Sequence, residues 1–233
     1  MPERSKMPAE AVDEGTASFY QRYAALLASQ PERRHSGMYQ LFQAHLRPGA
    51  RVLDVGAGAG RDVAALLDLG MDAYGIEPSE AMRERAHAQF PQLQGRLAAG
   101  SLPDMGRPFV NQVPQGFDAV VCSAVLMHVS PAALPEALLS MVSQLRAQGA
   151  AGALQHQRRL FVALPEMDPA LLHEDCDPDG RRFHNHDPET LDACLAAKGF
   201  DLLERHVNED LRGSTGTVWR SLVWKCEASG SGS

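Results

Sequence analysis

Long apolar runs and paired cysteines are both missing from this chain of 233 residues. No stretch approaches the roughly 18 apolar residues that would cross a bilayer, so we expect no membrane contact. The N-terminal residues are not followed by the apolar core of a signal peptide, so the sequence gives no support for export. The four cysteines form no C-x-x-C pair and no disulfide-scaffold pattern. Reduced thiols in the cytoplasm are therefore the expectation.

Positive charge is also scarce. Lysine and arginine number 22 against 29 aspartates and glutamates, for a net charge of −7. Because nucleic-acid affinity depends largely on basic side chains, this balance disfavours a nucleic-acid partner. Length and composition predict one domain over 16–227, with an acidic loop at 165–190. A flexible lead over 1–15 and a disordered Gly/Ser tail over 228–233 are predicted to flank it.

Residues 51–62 carry the most specific pattern, RVLDVGAGAGRD. A short apolar strand ends at Val55 and is followed by Gly56, Gly58 and Gly60, after which residues 62–69 have helical spacing. Glycine tolerates positive φ and has no side chain, so the backbone can turn tightly and a ligand can approach it. A strand, a glycine loop and a helix in this order place the ligand at a helix N-terminus. The alternative is a glycine-rich turn that binds nothing.

The spacing of the glycines separates two classes of ligand. The dinucleotide fingerprint G-x-G-x-x-G requires its third glycine where this chain has Arg61. The pattern is instead Asp-x-Gly-x-Gly-x-Gly, beginning at Asp54. With it the chain resembles the class I S-adenosylmethionine-dependent methyltransferases. The resemblance implies S-adenosylmethionine as cofactor, with S-adenosylhomocysteine as its product, and places the loop under the amino-acid half of the cofactor.

A second acid, Glu77, ends the predicted strand 71–76. An acid about 20 residues after the glycine loop is where ribose hydroxyls are bound, since one carboxylate can accept two hydrogen bonds. Ser79 then suits the N-cap of a following helix that carries Met82. Glu77 does not separate a methyltransferase from an NAD enzyme, because both use this acid.

Strands and helices alternate along the chain, which predicts a doubly wound α/β fold. Further helices are predicted over 16–29, 38–46, 134–146 and 188–198, and further strands over 96–99, 117–123, 159–164, 200–207 and 217–225. The last two strands are close in sequence and suggest a hairpin. The resemblance implies the same Rossmann-like architecture, a mostly parallel seven-stranded sheet with an antiparallel last hairpin strand. Residues 150–157 depart from it as an apparent insertion.

The resemblance also implies where the cofactor is bound. The helices over 16–48 would form a lid, and the loops after the first four strands would contact the ligand. The predicted cofactor-binding residues are Tyr20, Asp54, Gly56, Ala57, Gly58, Gly60, Asp62, Glu77, Pro78, Met82, Ser101, Leu102, Ser123 and Ala124. The family often has an acid near the adenine amino group, whereas this chain offers the hydroxyl of Ser101.

His128 is the predicted catalytic residue. Methyl transfer from a sulfonium is an in-line displacement, for which the protein mainly aligns the nucleophile with the methyl group. A base is needed only where the acceptor carries a proton. His128 follows the fourth strand at the carboxyl edge of the sheet, where ligands bind, and histidine suits proton transfer near neutrality. The alternative is a hydrogen-bonded histidine that shapes the cofactor loop.

Two segments are predicted to contact the acceptor. On the first helix, Tyr23 would either contact it or belong to a core stripe. In the loop 173–187, Arg181 and Arg182 would bind an anionic acceptor, and His184 or His186 would serve as a base.

Three other interpretations of this loop stay open. A zinc site would use its histidines and Cys176, but their spacing matches no established pattern. A calcium loop would begin at Asp175, but its twelfth position is His186 instead of glutamate. A solvated β-turn over 177–180 is the simplest. No metal is predicted.

The predicted function is methyl transfer from S-adenosylmethionine to a small-molecule acceptor. One alternative is a methyltransferase acting on tRNA or protein, which the acidic charge disfavours. The other is a catalytically silent module that binds a nucleotide cofactor, and Arg61 speaks against its NAD-binding form. Neither the acceptor nor the oligomeric state follows from the residues.

Overall fold

The computed structural model describes residues 12–29, 35–147, 158–209 and 217–226. The helices are α1 (Glu14–Leu27), α2 (Tyr39–His45), α3 (Arg61–Asp68), α4 (Glu80–Gln89), α5 (Leu134–Ser143) and α6 (Pro188–Ala196). The strands are β1 (Arg51–Val55), β2 (Asp72–Ile76), β3 (Leu97–Ala98), β4 (Ala119–Ser123), β5 (Arg158–Glu166), β6 (Asp201–Glu209) and β7 (Val218–Cys226). The predicted insertion, the Gly/Ser tail and most of the predicted lead lie outside the described residues.

The strands form one sheet in the order β3-β2-β1-β4-β5-β7-β6. The first five strands run parallel, and β7 runs antiparallel to both β5 and β6. The predicted doubly wound, seven-stranded architecture with its antiparallel hairpin is confirmed. Because β1 lies between β2 and β4, the strand order reverses there, and a crevice opens at the carboxyl ends of β1 and β4.

Apolar side chains fill both faces of the sheet, as parallel strands require. One layer joins β4 to α5 and α6 through residues such as Val120, Leu138 and Leu195. The opposite layer joins β1 and β4 to α2 and α3 through Phe42 and Leu66. The central strands are thus held from both sides, which fixes the positions of the loops at their ends.

Two predicted element ends that meet in the structure are wrong by two and three residues. The fourth strand begins at Ala119 instead of residue 117, and α5 ends at Ser143 instead of residue 146. Phe117 explains both, because its N–H donates to Gln144 and its carbonyl accepts from the N–H of Arg146. This crossing holds the start of the strand against the end of the helix.

Among the described residues, no helix combines the length and apolar character of a membrane span.

A buried ion pair at this crossing provides a test of the packing. The Oδ1 atom of Asp118 lies 2.8 Å from Nε of Arg146, and its Oδ2 accepts from the N–H of Arg51 at 2.8 Å. Asp118→Ala leaves the arginine buried without this partner, so we expect the free energy of unfolding to fall by about 3 kcal/mol in urea denaturation.

The control is Glu189→Ala, which removes an exposed ion pair with Arg205. We expect a loss of about 0.5 kcal/mol or less there. Equal losses in the two variants would show that the crossing at Phe117 does not depend on the buried pair.

Candidate active site

The loop after β1 is shaped by its glycines. Gly56, Gly58 and Gly60 have φ values of 74°, 54° and 79°, which L side chains rarely adopt. A Cβ on Gly56 would lie 2.2 Å from Cγ2 of Val125, and one on Gly60 would lie 2.4 Å from Cδ1 of Leu93. Around Gly58 the nearest atom would be Cε of Met82 at 3.4 Å. The first and last glycines therefore let the loop pack closely, while the middle one leaves room beside the backbone.

Glu77 connects this loop to the next one. Its Oε2 accepts from the N–H of Gly58 at 3.0 Å, and its Oε1 accepts from the N–H of Ser79 at 2.9 Å. Burial raises the pKa of this carboxyl, and the two N–H donors and Arg83 oppose the rise. A carboxylate oxygen has more than one acceptor position, so each can still take a hydrogen bond from a ligand hydroxyl.

Two more acids lie at the other side of the loop. Asp54 in β1 and Asp62 in the first turn of α3 are only 3% and 6% exposed. Burial, and then the charge of Asp62, hold the pKa of Asp54 well above its usual range. The glycine loop is therefore flanked along the chain by two buried acids, Asp54 before it and Asp62 after it.

The other predicted cofactor residues lie at the same edge of the sheet. Met82 and Leu102 are buried, whereas Pro78 is exposed. Ser123 ends β4 and is half-buried, and Ala124 follows it with a positive φ of 59°. Ser101 follows β3 and is half-buried. The parallel strands bring these residues to one end of the sheet, and their contacts with a cofactor stay a prediction.

His128 has both ring nitrogens engaged. It ends a short 3-10 turn after β4. Its Nδ1 lies 2.6 Å from the carbonyl oxygen of Arg182, and its Nε2 lies 3.0 Å from the hydroxyl of Tyr20. A carbonyl can only accept, so Nδ1 donates its hydrogen and Nε2 of the neutral ring accepts from Tyr20. Burial lowers the pKa of His128 to about 4 and raises that of Tyr20 to about 12.

Helix α1 is hydrogen-bonded to the acidic loop, and both segments contact this histidine. The N–H of Arg182 donates to Oγ1 of Thr16 at 2.9 Å, and Asp13 caps α1 by accepting from the N–H of Thr16. A Cβ on Gly15 would lie 2.4 Å from the carbonyl oxygen of Gly180. We call α1 and residues 173–187 together the cover. Sequence analysis did not identify Asp13 and Thr16 as part of it, although Asp-x-x-Thr before a helix is a capping signal.

The predicted acceptor-binding residues differ in how strongly their polar atoms are already bound by other groups of the protein. Nε2 of His186 lies 2.8 Å from the carbonyl oxygen of Leu126 and 3.0 Å from that of Val129, and it donates to them. Desolvation lowers the pKa of His186. Its ring thus holds the turn that ends at His128, and its role as a base stays a prediction.

Arg181 is bound within the loop. Its Nη2 lies 2.5 Å from Oδ2 of Asp177, and its guanidinium lies 4.4 Å from the ring centroid of Phe19. An anionic acceptor would therefore have to compete with a buried carboxylate. Arg182 lies beside it, with its guanidinium 3.7 Å from Asp13.

His184 and Tyr23 are less constrained. The Nε2 of His184 is buried without a hydrogen-bond partner among the described residues, and its Nδ1 lies 3.7 Å from Asp175. Tyr23 stacks on Phe19 at a ring distance of 5.3 Å and is half-buried. Phe19, a member of the predicted core stripe, and Tyr23 both help to line an open cavity, so the contact of Tyr23 with an acceptor stays a prediction.

The loop itself contains the predicted turn. The N–H of Gly180 donates to the carbonyl of Asp177, whose side chain accepts from the N–H groups of Asp179 and Arg181. Within the described ranges, no group of three or more His, Cys, Asp or Glu residues is arranged to hold a metal ion. The acids of this loop thus stabilise its own backbone.

Comparisons with known proteins agree with this geometry. A family model described as a methyltransferase domain matches residues 20–205. The chain is 36% identical to a protein-L-isoaspartate O-methyltransferase of Methylorubrum populi over 42% of this chain and 43% of that protein. It is 27% identical to an uncharacterized methyltransferase of Geobacillus over 78% of both chains. The match with the first of these relatives thus spans less than half of its length.

A solved structure shares the fold over nearly the whole chain. It is the Burkholderia thailandensis 1,6-didemethyltoxoflavin-N1-methyltransferase with bound 1,6-didemethyltoxoflavin and S-adenosylhomocysteine. The TM-score is 0.64 at 20% identity, covering 96% of this chain and 93% of that one.

Glu77 provides the sharpest test of the site. Glu77→Ala removes the acceptor for ribose hydroxyls and frees the N–H of Gly58, so we expect S-adenosylhomocysteine to bind about 10- to 100-fold more weakly in calorimetry. The control is Glu80→Ala, an exposed acid in the first turn of α4, which should leave the affinity unchanged. Unchanged affinity in Glu77→Ala would show that the cofactor does not bind at this edge of the sheet.

Proposed function

We propose that this protein transfers a methyl group from S-adenosylmethionine to a small molecule. The proposal starts from the family: the chain belongs to the methyltransferase-domain family. The cofactor of that family is S-adenosylmethionine. When bound, it supplies a methyl group on a sulfonium, open to in-line displacement. The residues of this chain contribute the binding site, align the acceptor with the methyl group and provide the path of the acceptor's proton.

The residues present fit this cofactor. The carboxylate of Glu77 presents two acceptor oxygens beside the glycine loop, as a ribose diol requires. Gly58 leaves its backbone open to a ligand. Asp54 and Asp62 add two buried acids, one before and one after the glycine loop. These residues would hold the cofactor.

The cover is the observation that carries the choice of acceptor. Helix α1 and the acidic loop meet at Gly15 and Gly180, and both approach the turn that ends at His128. A small molecule fits beneath such a cover more readily than a folded protein or a tRNA. The net charge of −7 also disfavours nucleic acid. The Burkholderia thailandensis structure that shares this fold has 1,6-didemethyltoxoflavin bound.

Tyr20 and His128 supply the path for the acceptor's proton. Tyr20 already donates to Nε2 of His128, so a proton from the acceptor would pass to the Tyr20 oxygen while the Tyr20 proton moves to Nε2. A histidine with a pKa of about 4 is a weak base. It therefore suits an acceptor whose proton becomes strongly acidic once the methyl group has been added, rather than one that must be ionised beforehand.

The proposal includes a cytoplasmic location. All four cysteines are free thiols, two of them buried. Unpaired thiols are usual in a reducing compartment.

The acceptor class is tested with radiolabelled S-adenosylmethionine. The protein is incubated with a cell extract that has been separated by ultrafiltration into small-molecule and macromolecular fractions. We expect label to be transferred only to the small-molecule fraction, because the cover admits little else. Label in protein or in tRNA would contradict the choice of acceptor and favour the activity named for the Methylorubrum relative or tRNA methylation.

The proton path is tested by Tyr20→Phe and His128→Ala. Each should lower kcat for the labelled small-molecule fraction about 100-fold. In His128→Ala the affinity for S-adenosylhomocysteine should change little, because His128 is not among the predicted cofactor-binding residues. The control is Ser18→Ala, which removes an exposed hydroxyl on the same helix and should leave kcat unchanged.

The pH profile adds a second readout. Because burial lowers the pKa of His128 to about 4, the ring stays neutral as pH falls from 8 to 6, and kcat should stay flat over that window. A loss of activity centred near pH 6.5 that disappears in His128→Ala would contradict this account of the histidine.

A further inference from the structure

The backbone of Arg182 is oriented by a short antiparallel pairing within the cover. Arg182 lies opposite Cys176 in this pairing. Two backbone hydrogen bonds flank the pair, one from Asp177 to Arg181 at 2.9 Å and one from Phe183 to Asp175 at 2.7 Å. In an antiparallel ladder, the residue between two such bonds directs its own N–H and carbonyl away from the partner strand. Both polar groups of the Arg182 backbone are therefore directed away from Cys176.

Helix α1 and the turn after β4 take these two groups. The N–H of Arg182 donates to Oγ1 of Thr16 at 2.9 Å, and its carbonyl accepts from Nδ1 of His128 at 2.6 Å. Nε2 of His128 accepts from the hydroxyl of Tyr20 at 3.0 Å. Thr16 and Tyr20 are four residues apart on α1, a spacing that places them on one face of the helix. The four residues therefore form a closed ring of contacts in which α1 supplies both ends.

The hydroxyl of Thr16 is itself fixed. Its Oγ1 lies 3.2 Å from Oδ2 of Asp13 and donates to it, which leaves the lone pairs of Oγ1 for the N–H of Arg182. Thr16 is only 2% exposed. Loss of the hydroxyl would thus leave the N–H of Arg182 without this acceptor where water barely reaches, which is costly for a backbone donor.

The carbonyl of Arg182 decides which ring nitrogen of His128 carries the hydrogen. A neutral imidazole has one N–H, and a carbonyl can only accept. With the hydrogen on Nδ1, Nε2 is an acceptor and can take the proton of Tyr20. With the hydrogen on Nε2, that nitrogen would donate to Tyr20 and could not take its proton.

We propose that Thr16 is a positioning residue that acts through the backbone of Arg182 to hold His128 in the Nδ1–H tautomer, the form that can accept the proton of Tyr20. The inference rests on the proposed function, to which the proton path from Tyr20 to His128 belongs. Because Thr16 and Tyr20 share α1, the docking of this one helix places the proton donor and sets the tautomer of its acceptor.

The test is nitrogen-15 NMR of the free protein with labelled histidine at neutral pH, where the low pKa of His128, about 4, keeps its ring neutral. The two tautomers differ in which ring nitrogen has the chemical shift of an N–H. The signals of His128 are identified by their loss in His128→Ala. We expect the wild-type protein to show the N–H on Nδ1.

Two variants of Thr16 separate its hydroxyl from its shape. Thr16→Val keeps the branched side chain and removes the oxygen, so we expect some or all of the hydrogen of His128 to move to Nε2. Thr16→Ser restores the oxygen and should restore the wild-type signals. In Thr16→Val, kcat for the labelled small-molecule fraction should fall about tenfold, a part of what general acid–base catalysis contributes, and Thr16→Ser should recover it.

The matched control is Thr190→Val. Thr190 lies three residues after Asp187, the N-cap of α6, and its hydroxyl donates to that carboxylate at 3.2 Å, so it repeats the capping arrangement of α1. Thr190 is exposed on a different helix. Its substitution should change neither the tautomer of His128 nor kcat.

The inference fails if His128 of the wild-type protein carries its hydrogen on Nε2, or if Thr16→Val leaves the hydrogen on Nδ1. Methyl transfer by the wild-type protein would then still support the proposed function. A changed tautomer with unchanged kcat would also overturn the inference. If the wild-type protein transfers no methyl group, the proposed function fails, while the NMR signals still decide whether Thr16 sets the tautomer.

Discussion

The carboxylate of Glu77 is the contact on which the candidate site depends. It accepts one N–H from the glycine loop after β1 and another from the start of α4. These two segments belong to neighbouring parallel strands, whose register aligns Val55 with Ile76. One buried acid therefore helps to fix the distance between these two loops. The same carboxylate is proposed to accept the ribose hydroxyls, so the group that joins the loops is also the group proposed to bind the cofactor.

A second set of contacts acts above this edge. Thr16 and Tyr20 on α1 reach Arg182 and His128, and Arg182 in turn accepts from His128. The histidine is thus held between the cover and the loop after β4. Its low pKa follows from that burial, and so does its proposed role as a weak proton acceptor. The contacts that hold the cover in place therefore also position His128.

Sequence reasoning was most successful where the signal is local. The glycine spacing, Glu77 and the alternation of strands and helices predicted the family and the seven-stranded sheet, because turn geometry and strand burial are decided within a few residues. The contacts of the cover were harder to predict from the sequence. Tyr20 and His128 are 108 positions apart, and Thr16 and Arg182 are 166 apart, so no local pattern records their contacts. Arg181 shows a different limit: the sequence predicted that it binds an anionic acceptor, whereas in the structure it is paired with Asp177, four residues away.

The central claim is that the edge formed by the glycine loop and Glu77 binds S-adenosylmethionine rather than a dinucleotide. Titration calorimetry with S-adenosylhomocysteine and with NAD tests it most directly, because both ligands carry an adenosine and only one carries a pyrophosphate. The account predicts one S-adenosylhomocysteine bound per chain and no heat from NAD, since Arg61 occupies the place of the third glycine. Binding of NAD alone, or of neither ligand, would contradict it.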